Sequence, residues 1–373
     1  MSAKKNIGVL TSSRADFGIY LPLLKEIQKN RELCLSIIAF GTHLSPYHGL
    51  TIKHIESHGF EVDYKINSML LHDDENAISS SVSLTMMKFA EFWKNYGNNF
   101  DIILCLGDRF EMFGAVYAGV PFGIKFAHIH GGETTLGAID NTYRHAISLA
   151  SHLHFVSTEE YKDRVWELTK SNNIYISGSI SLHNLGNIEL FSVSEMIDRF
   201  SIDFSVQTVL VTVHPETIDS KSNKKYANVC ANIFKEISDR YQVVITMPNA
   251  DTKGSLYRSM FIELQKSSNG KIILIENFGT QGYFSAMKLS KFLIGNTSSG
   301  IIEAATFNKY VINLGDRQKG RDRSENVIDC PFELNPILGA VGIIESKEFT
   351  FTGVNIYYRE DGLERIVELV QEF

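Results

Sequence analysis

KFLIGNTSSGIIEAATF, residues 291–307, holds a short strand, a polar turn and the start of a helix within seventeen residues. Phe292, Leu293 and Ile294 form a short apolar run of the kind a buried strand presents. The run breaks into Gly295-Asn296-Thr297-Ser298-Ser299-Gly300, and an apolar-periodic stretch containing Glu303 begins at once. Strand, glycine-bracketed polar turn and helix in immediate succession are half of a βαβ unit. Helix N-termini carry unsatisfied N–H groups and partial positive charge, so such a turn suits an anion such as phosphate. An ordinary Ser/Thr-capped helix start explains the same residues, so the turn alone does not decide. It lacks the Gly-Lys-Ser/Thr ending of a Walker A loop. It is also not the Gly-x-Ser-x-Gly elbow that would expose a nucleophilic serine.

The same alternation runs outward in both directions. Apolar runs at 7–11, 35–40, 102–106, 124–130, 154–156 and 174–176 are separated by helix-period segments such as 17–28 and 110–120. Pro22 limits where the first of these helices regularises, because proline is best tolerated in a first turn. The pattern restarts at 208–213, 243–247, 272–275, 292–294 and 311–314. Near-continuous apolar strands alternating with helices mean parallel sheets covered on both faces. The restart predicts two such domains, 1–182 and 183–373, joined near 179–207. The last segment, 361–373, reads as an amphipathic helix.

Composition agrees: 373 residues, 44% hydrophobic, 21% charged and seven prolines suit a two-domain globular chain. A net charge of −7 without a Lys/Arg block argues against nucleic-acid binding. Cys34, Cys105, Cys230 and Cys330 form no Cys-x-x-Cys pair, so reduced thiols and a cytoplasmic location are expected. The N-terminus leads straight into a strand rather than a signal sequence, and no run of about 18 apolar residues suggests a membrane span.

Ligands of open parallel sheets bind beyond the carboxyl ends of the strands, so the residues after each strand carry the function. They are Ser12-Ser13-Arg14-Ala15-Asp16, Gly107-Asp108-Arg109, Gly131-Gly132-Glu133, His214-Pro215-Glu216, Pro248-Asn249-Ala250-Asp251, the opening turn, and Gly315-Asp316-Arg317-Gln318. Seven polar tips point to one shared ligand in a cleft. His128 and His130 alternate along one predicted strand and so face one side; a metal site there lacks a third ligand at a recognisable spacing, and none is expected. Asp140, Arg144 and His145 open the next helix, where Asp140 is either a cap or an acid–base group. No Gly-x-Gly-x-x-Gly follows a strand, so no dinucleotide cofactor is expected.

Taken together, SSRADFG (12–18), GDRFE (107–111), HIHGGETTLGAID (128–140), RHAIS (144–148), STEEY (157–161), HPET (214–217), PNAD (248–251), IGNTSSGIIE (294–303) and NLGDRQKGR (313–321) resemble the UDP-N-acetylglucosamine 2-epimerase family, specifically its hydrolysing branch. They span almost the whole chain in the family's order. The resemblance implies a GT-B architecture, two Rossmann-like domains with the active site in the cleft between them, and a homodimer or homotetramer. It implies a UDP-sugar as substrate, no redox cofactor, and a place in sialic or legionaminic acid synthesis.

By position, the resemblance sends the UDP pyrophosphate to the opening turn with Thr297 and Ser298 as donors. It gives the ribose to Glu303, the uracil to backbone near Phe278, and further nucleotide contacts to Arg14, Gly18, Arg109, His214, Asn249 and Arg317. The loop holding His43 is expected to face the sugar. The catalytic set is Asp108, Glu133, Asp140, His130 and His214. Many relatives carry Glu where this chain has His130, so either His130 or Glu133 takes that role; the acid often paired with Asp140 is Asn141 here. The implied reaction is anti elimination of UDP to a 2-acetamidoglucal, followed by addition of water to give the C2-epimeric free sugar. UDP-N-acetylglucosamine is the expected substrate, with UDP-2,4-diacetamido-2,4,6-trideoxyglucose as the alternative. A non-hydrolysing epimerase, a GT-B glycosyltransferase and a non-catalytic nucleotide-sugar sensor are the competing activities; cleft carboxylates speak against the last, since extra negative charge does not help a protein that only binds UDP.

Overall fold

The computed structural model describes residues 4–70, 74–136, 139–216, 221–248, 254–346 and 351–373. The chain forms two compact units. One comprises Met1–Glu133, Ile139–Gly186 and Tyr357–Phe373, the other Thr134–Ala138 and Asn187–Ile356.

The first unit contains β1 (Lys5–Thr11), β2 (Leu33–Phe40), β3 (Tyr64–Ile66), β4 (Ile102–Leu106), β5 (Phe126–Ile129), β6 (Leu153–Val156) and β7 (Ile174–Ile176). They pair in parallel in the order β3-β2-β1-β4-β5-β6-β7. The second unit contains β8 (Thr208–Thr212), β9 (Gln242–Thr246), β10 (Ile272–Ile275), β11 (Phe292–Gly295), β12 (Val311–Leu314) and β13 (Val327–Cys330). These pair in parallel in the order β10-β9-β8-β11-β12-β13. Both are doubly wound α/β sheets, the class expected from the sequence, and in both the strand order reverses beside the first strand. The switch points are therefore β1/β4 and β8/β11, where ligands of such sheets bind.

Each sheet is covered on both faces. In the first unit, Ile7, Val9, Leu104 and Ile129 pack with Phe17, Leu23 and Ile27 of the helix Arg14–Lys29 and with Ile366 and Val370 of the last helix, Gly362–Glu372. On the other face Leu10, Ile103 and Phe126 meet Phe89 and Trp93 of Glu75–Tyr96 and Met112 and Val116 of Phe110–Gly119. The second unit repeats the plan with Val211, Ile245 and Ile294 against Ile233, Phe234 and Phe261, and Leu210, Val244 and Leu293 against Ala286 and Met287. At about 25 cal/mol per Å² of apolar area removed from water, such two-faced burial dominates the favourable side of folding.

Two details depart from the sequence reading. The helix Arg14–Lys29 runs through Pro22 instead of regularising around it. Pro22 removes the N–H that would serve the carbonyl of Gly18. Asn184 Nδ2 donates to that oxygen at 2.9 Å instead. Second, β5 ends at Ile129, so His130 is not a strand residue. Its φ is +64°, so it does not share a face with His128 by alternation.

Candidate functional site

In the second unit the β8 and β11 tips are locked to each other. Gly295 has φ +155°, and a Cβ there would lie 1.9 Å from the Thr212 carbonyl oxygen, so only glycine permits this approach. The next residue, Asn296, is fully buried. The His214 N–H donates to its Oδ1 at 2.8 Å, and its Nδ2 donates to the His214 carbonyl at 2.9 Å. The Asn296 carbonyl accepts from Arg317 Nη1 at 3.1 Å and from Gln318 Nε2 at 2.9 Å. Glu216 is buried, and its Oε1 accepts the Arg317 N–H at 3.1 Å. Burial raises its pKa above the ordinary carboxyl value, against the lowering effect of the backbone hydrogen bonds from Arg317 and Asp316. One amide thus gathers His214 and Arg317 around the turn that opens at Gly295.

Thr297 caps the helix Ser298–Ile302, its hydroxyl accepting the Ser299 N–H at 3.4 Å. Ser298 is half-buried at the first helical position, and Glu303 follows the last. The helix is only five residues long, so the donors of this turn come from local N–H and hydroxyl groups more than from an extended dipole. Phe278 is buried and packs edge-on against Phe200 at 4.9 Å. Asn249 lies outside the described residues.

In the first unit the β4, β5 and β6 tips carry a cluster of charged and polar groups. His128 Nε2 lies 2.9 Å from the Gly107 carbonyl and Nδ1 2.9 Å from Ser148 Oγ. A carbonyl only accepts, so His128 is the Nε2–H tautomer and receives the serine proton at Nδ1. Burial pushes its pKa down to about 3. It is a neutral strut beneath the Gly107–Asp108 turn. Asp108 pairs with Arg144, which also donates from Nη1 to the His130 carbonyl at 2.6 Å and lies 3.8 Å from Glu133 Oε2.

His130, Gly131 and Gly132 reverse the chain. A Cβ on Gly132, at φ +77°, would meet the Tyr161 carbonyl at 2.4 Å. The reversal returns Glu133 to His130: Nδ1 and Oε1 are 2.6 Å apart, and Ser157 Oγ donates to the same oxygen at 3.1 Å. Asp140 is the first residue of the helix Asp140–Ala150, not its cap. Protein packed around its carboxyl, and then the Asp108 charge, raise its pKa. Among the described residues no group of three or more His, Cys, Asp or Glu is arranged to hold a metal ion.

The remaining candidates follow β1, β2 and β4, which are neighbours in the first sheet. Arg109 turns to the buried Glu111 at 2.6 Å. Arg14 is exposed at the start of its helix, and the space beside Gly18 is open. His43 is fully buried with Nε2 2.9 Å from Thr11 Oγ1 and Nδ1 2.9 Å from Thr51 Oγ1. Burial lowers its pKa to about 4, so it braces its loop. From the sequence Asn296 is expected only as part of the pyrophosphate turn, and Arg144 and Ser157 have no assigned role. Arg144 and Ser157 stood inside quoted motifs, and their position one strand or one turn from the acidic tips was the available signal.

Residues 25–371 match the family described as UDP-N-acetylglucosamine 2-epimerase. The chain is 36% identical over 348 residues, 93% of its length and 89% of the relative's, to the GDP/UDP-N,N'-diacetylbacillosamine 2-epimerase (hydrolyzing) of Campylobacter jejuni. It is 31% identical over 336 residues, 90% of its length and 87% of the relative's, to the UDP-N,N'-diacetylbacillosamine 2-epimerase (hydrolyzing) of Legionella pneumophila. Its fold matches the crystal structure of UDP-GlcNAc 2-epimerase from Neisseria meningitidis bound to UDP-GlcNAc, with a TM-score of 0.79 at 17% identity over 99% of this chain and 100% of that one.

Proposed function

This chain belongs to the UDP-N-acetylglucosamine 2-epimerase family, and we propose that it is a hydrolysing 2-epimerase that converts a UDP-linked 2-acetamido sugar and water to UDP and the free sugar inverted at C2. The observation that carries this reading is the ionisable cluster at the β4–β6 tips: Asp108, His130, Glu133 and Arg144 joined by ion pairs and hydrogen bonds, with Asp140 raised in pKa beside them. Proton abstraction and protonation need such groups; holding UDP does not.

The second unit supplies the nucleotide contacts. The Gly295–Ser298 turn, His214 and Arg317 offer donors to phosphate oxygens, and guanidinium geometry suits them. Glu303 accepts from the ribose hydroxyls, and the main chain near Phe278 reads the base. Charge on the departing UDP is stabilised by these donors. Elimination of UDP and hydration of the resulting double bond each move protons and no hydride, so this route calls for no redox cofactor.

For the sugar, the names of the two relatives at 36% and 31% identity support a 2,4-diacetamido-2,4,6-trideoxyhexose. UDP-N-acetylglucosamine, the sequence expectation, is the second reading and is favoured by the family description. A pocket that hydrogen-bonds hydroxyls rejects an analogue lacking them far more strongly than an apolar pocket does. The test is kcat/KM on both nucleotide sugars. A tenfold preference for the diacetamido compound, about 1.4 kcal/mol, supports the first reading, and the reverse preference replaces it with the second. A reaction that returns UDP-linked epimer instead of free sugar refutes hydrolysis on either substrate.

A further inference from the structure

The sequence leaves open whether His130 or Glu133 acts where many relatives carry a glutamate. We propose that His130 exchanges the C2 proton of the sugar through Nε2, and that Glu133 is the positioning residue that orients it. This rests on the hydrolysing-epimerase reading.

Glu133 is occupied. Its Oε1 takes both His130 Nδ1, at 2.6 Å, and the Ser157 hydroxyl, at 3.1 Å, and its Oε2 lies 3.8 Å from Arg144. A carboxylate accepts, so Nδ1 carries a proton, and in the neutral form of the ring the lone pair is then at Nε2. That nitrogen is buried and has no hydrogen-bond partner among the described residues. An unmet buried polar atom costs free energy and calls for an explanation; a proton to collect from a ligand is one.

The backbone supports the assignment. His130 sits at φ +64°, a conformation uncommon for non-glycine residues and concentrated at functional sites. It is pinned by its N–H to the Phe155 carbonyl at 2.9 Å and by Arg144 Nη1 on its own carbonyl at 2.6 Å. Glycine would relieve the strain, yet an imidazole stands there. A nucleophile or base oriented by a second group that is itself held is the general logic of activated side chains.

In the step, the His130 Nε2 lone pair takes the proton from C2. The C2–H electron pair becomes the C1=C2 bond, and the C1–O pair leaves with the UDP phosphate oxygen. The imidazolium so formed is stabilised by Glu133. Water then adds its oxygen to C1 and gives up one proton, a solvent-derived proton enters at C2 from the opposite face, and the imidazolium returns its own proton to solvent.

Three variants test this. His130→Asn tolerates the left-handed backbone and keeps a donor towards Glu133, but has no titrating group. His130→Gly relieves the backbone and leaves room for free imidazole. His130→Glu sets a carboxylate in place of the imidazole. With wild type releasing UDP, we expect the Asn and Gly variants to melt within a few degrees of wild type and bind UDP within about twofold. Their turnover falls about a hundredfold or more, as for loss of an acid–base group, and so does deuterium exchange at C2. Added imidazole restores the Gly variant, and the Glu variant recovers part of the rate. Glu133→Gln lowers kcat with little change in KM, and imidazole does not restore it. Asn and Gly variants within threefold of wild type overturn the proposal and leave the epimerase reading standing. So does a folded, UDP-binding His130→Gly protein that neither imidazole nor the Glu replacement revives. Wild-type protein that releases no UDP from either sugar sinks the reading, and the proposal with it.

Discussion

Replacing Asn296 with alanine removes two hydrogen bonds at the centre of the second unit's switch point. Its buried amide accepts from the His214 N–H at 2.8 Å and donates to the His214 carbonyl at 2.9 Å. Each bond contributes about 1 kcal/mol net, and each main-chain group left without a partner adds about 0.5–1 kcal/mol in a half-buried setting. The sum is about 3–4 kcal/mol. For a unit of this size, at about 2–4 °C per kcal/mol, the midpoint of thermal unfolding falls by roughly 6–16 °C. Asn296→Asp is isosteric but sets a carboxylate oxygen against the His214 carbonyl, so it loses one bond and adds repulsion, and it brings negative charge to a turn that offers donors to phosphate. Its midpoint falls at least as far, and its UDP affinity drops more than that of the alanine variant. Calorimetry and UDP titration of both variants check this. A midpoint within 2 °C of wild type with unchanged UDP affinity would show that the β8 and β11 tips hold their positions without the amide, and the account of the cradle would fail.

Gly295→Ala drives a Cβ to 1.9 Å from the Thr212 carbonyl oxygen; we expect more than about 4 kcal/mol of destabilisation, in the range reserved for severe core defects, read as loss of soluble protein or a collapsed melting curve. Ser298→Ala and Glu303→Ala weaken UDP binding about tenfold while turnover at saturating substrate stays within a few-fold of wild type, separable by calorimetric titration and steady-state kinetics. The buried histidines give a pH signature: burial lowers His43 and His154 to about 4 and His128 to about 3. Below the unfolded value of about 6.5 the unfolded chain gains protons that the folded protein refuses, so stability is lost as pH falls from about 6.5 towards 4, by about 1.4 kcal/mol per pH unit for each histidine. His154 has neither ring nitrogen hydrogen-bonded among the described residues; His154→Leu removes its share of that slope, and an unchanged slope in denaturant melts at pH 4.5–6.5 would contradict the assignment.

How much was legible in the sequence follows from what each feature depends on. The central strands could be read because a strand buried on both faces must be apolar throughout, as in β4 and β11. The edge strands β3 and β13 could not: Tyr64-Lys65-Ile66 and Val327-Ile328-Asp329-Cys330 each carry a charge that a sheet edge tolerates and that breaks an apolar run. The acidic and basic tips were visible as residue types, since chain order alone puts them after strands. Their partners were not. Asn184 completing the helix interrupted by Pro22 is a contact across 166 positions. Arg144 joining Asp108 spans 36. His130 was read as a strand residue because Ile129-His130 continues an alternating pattern, and only the following Gly131-Gly132 hinted at a reversal.

The most direct measurement is proton NMR of the purified protein acting on each UDP-linked 2-acetamido sugar in deuterated water, with no reductant and no added metal. UDP and free sugar are expected in equal amounts, the sugar inverted at C2 and carrying deuterium there. Free sugar that retains protium at C2 would contradict elimination, and a UDP-linked epimer with no free sugar would contradict hydrolysis.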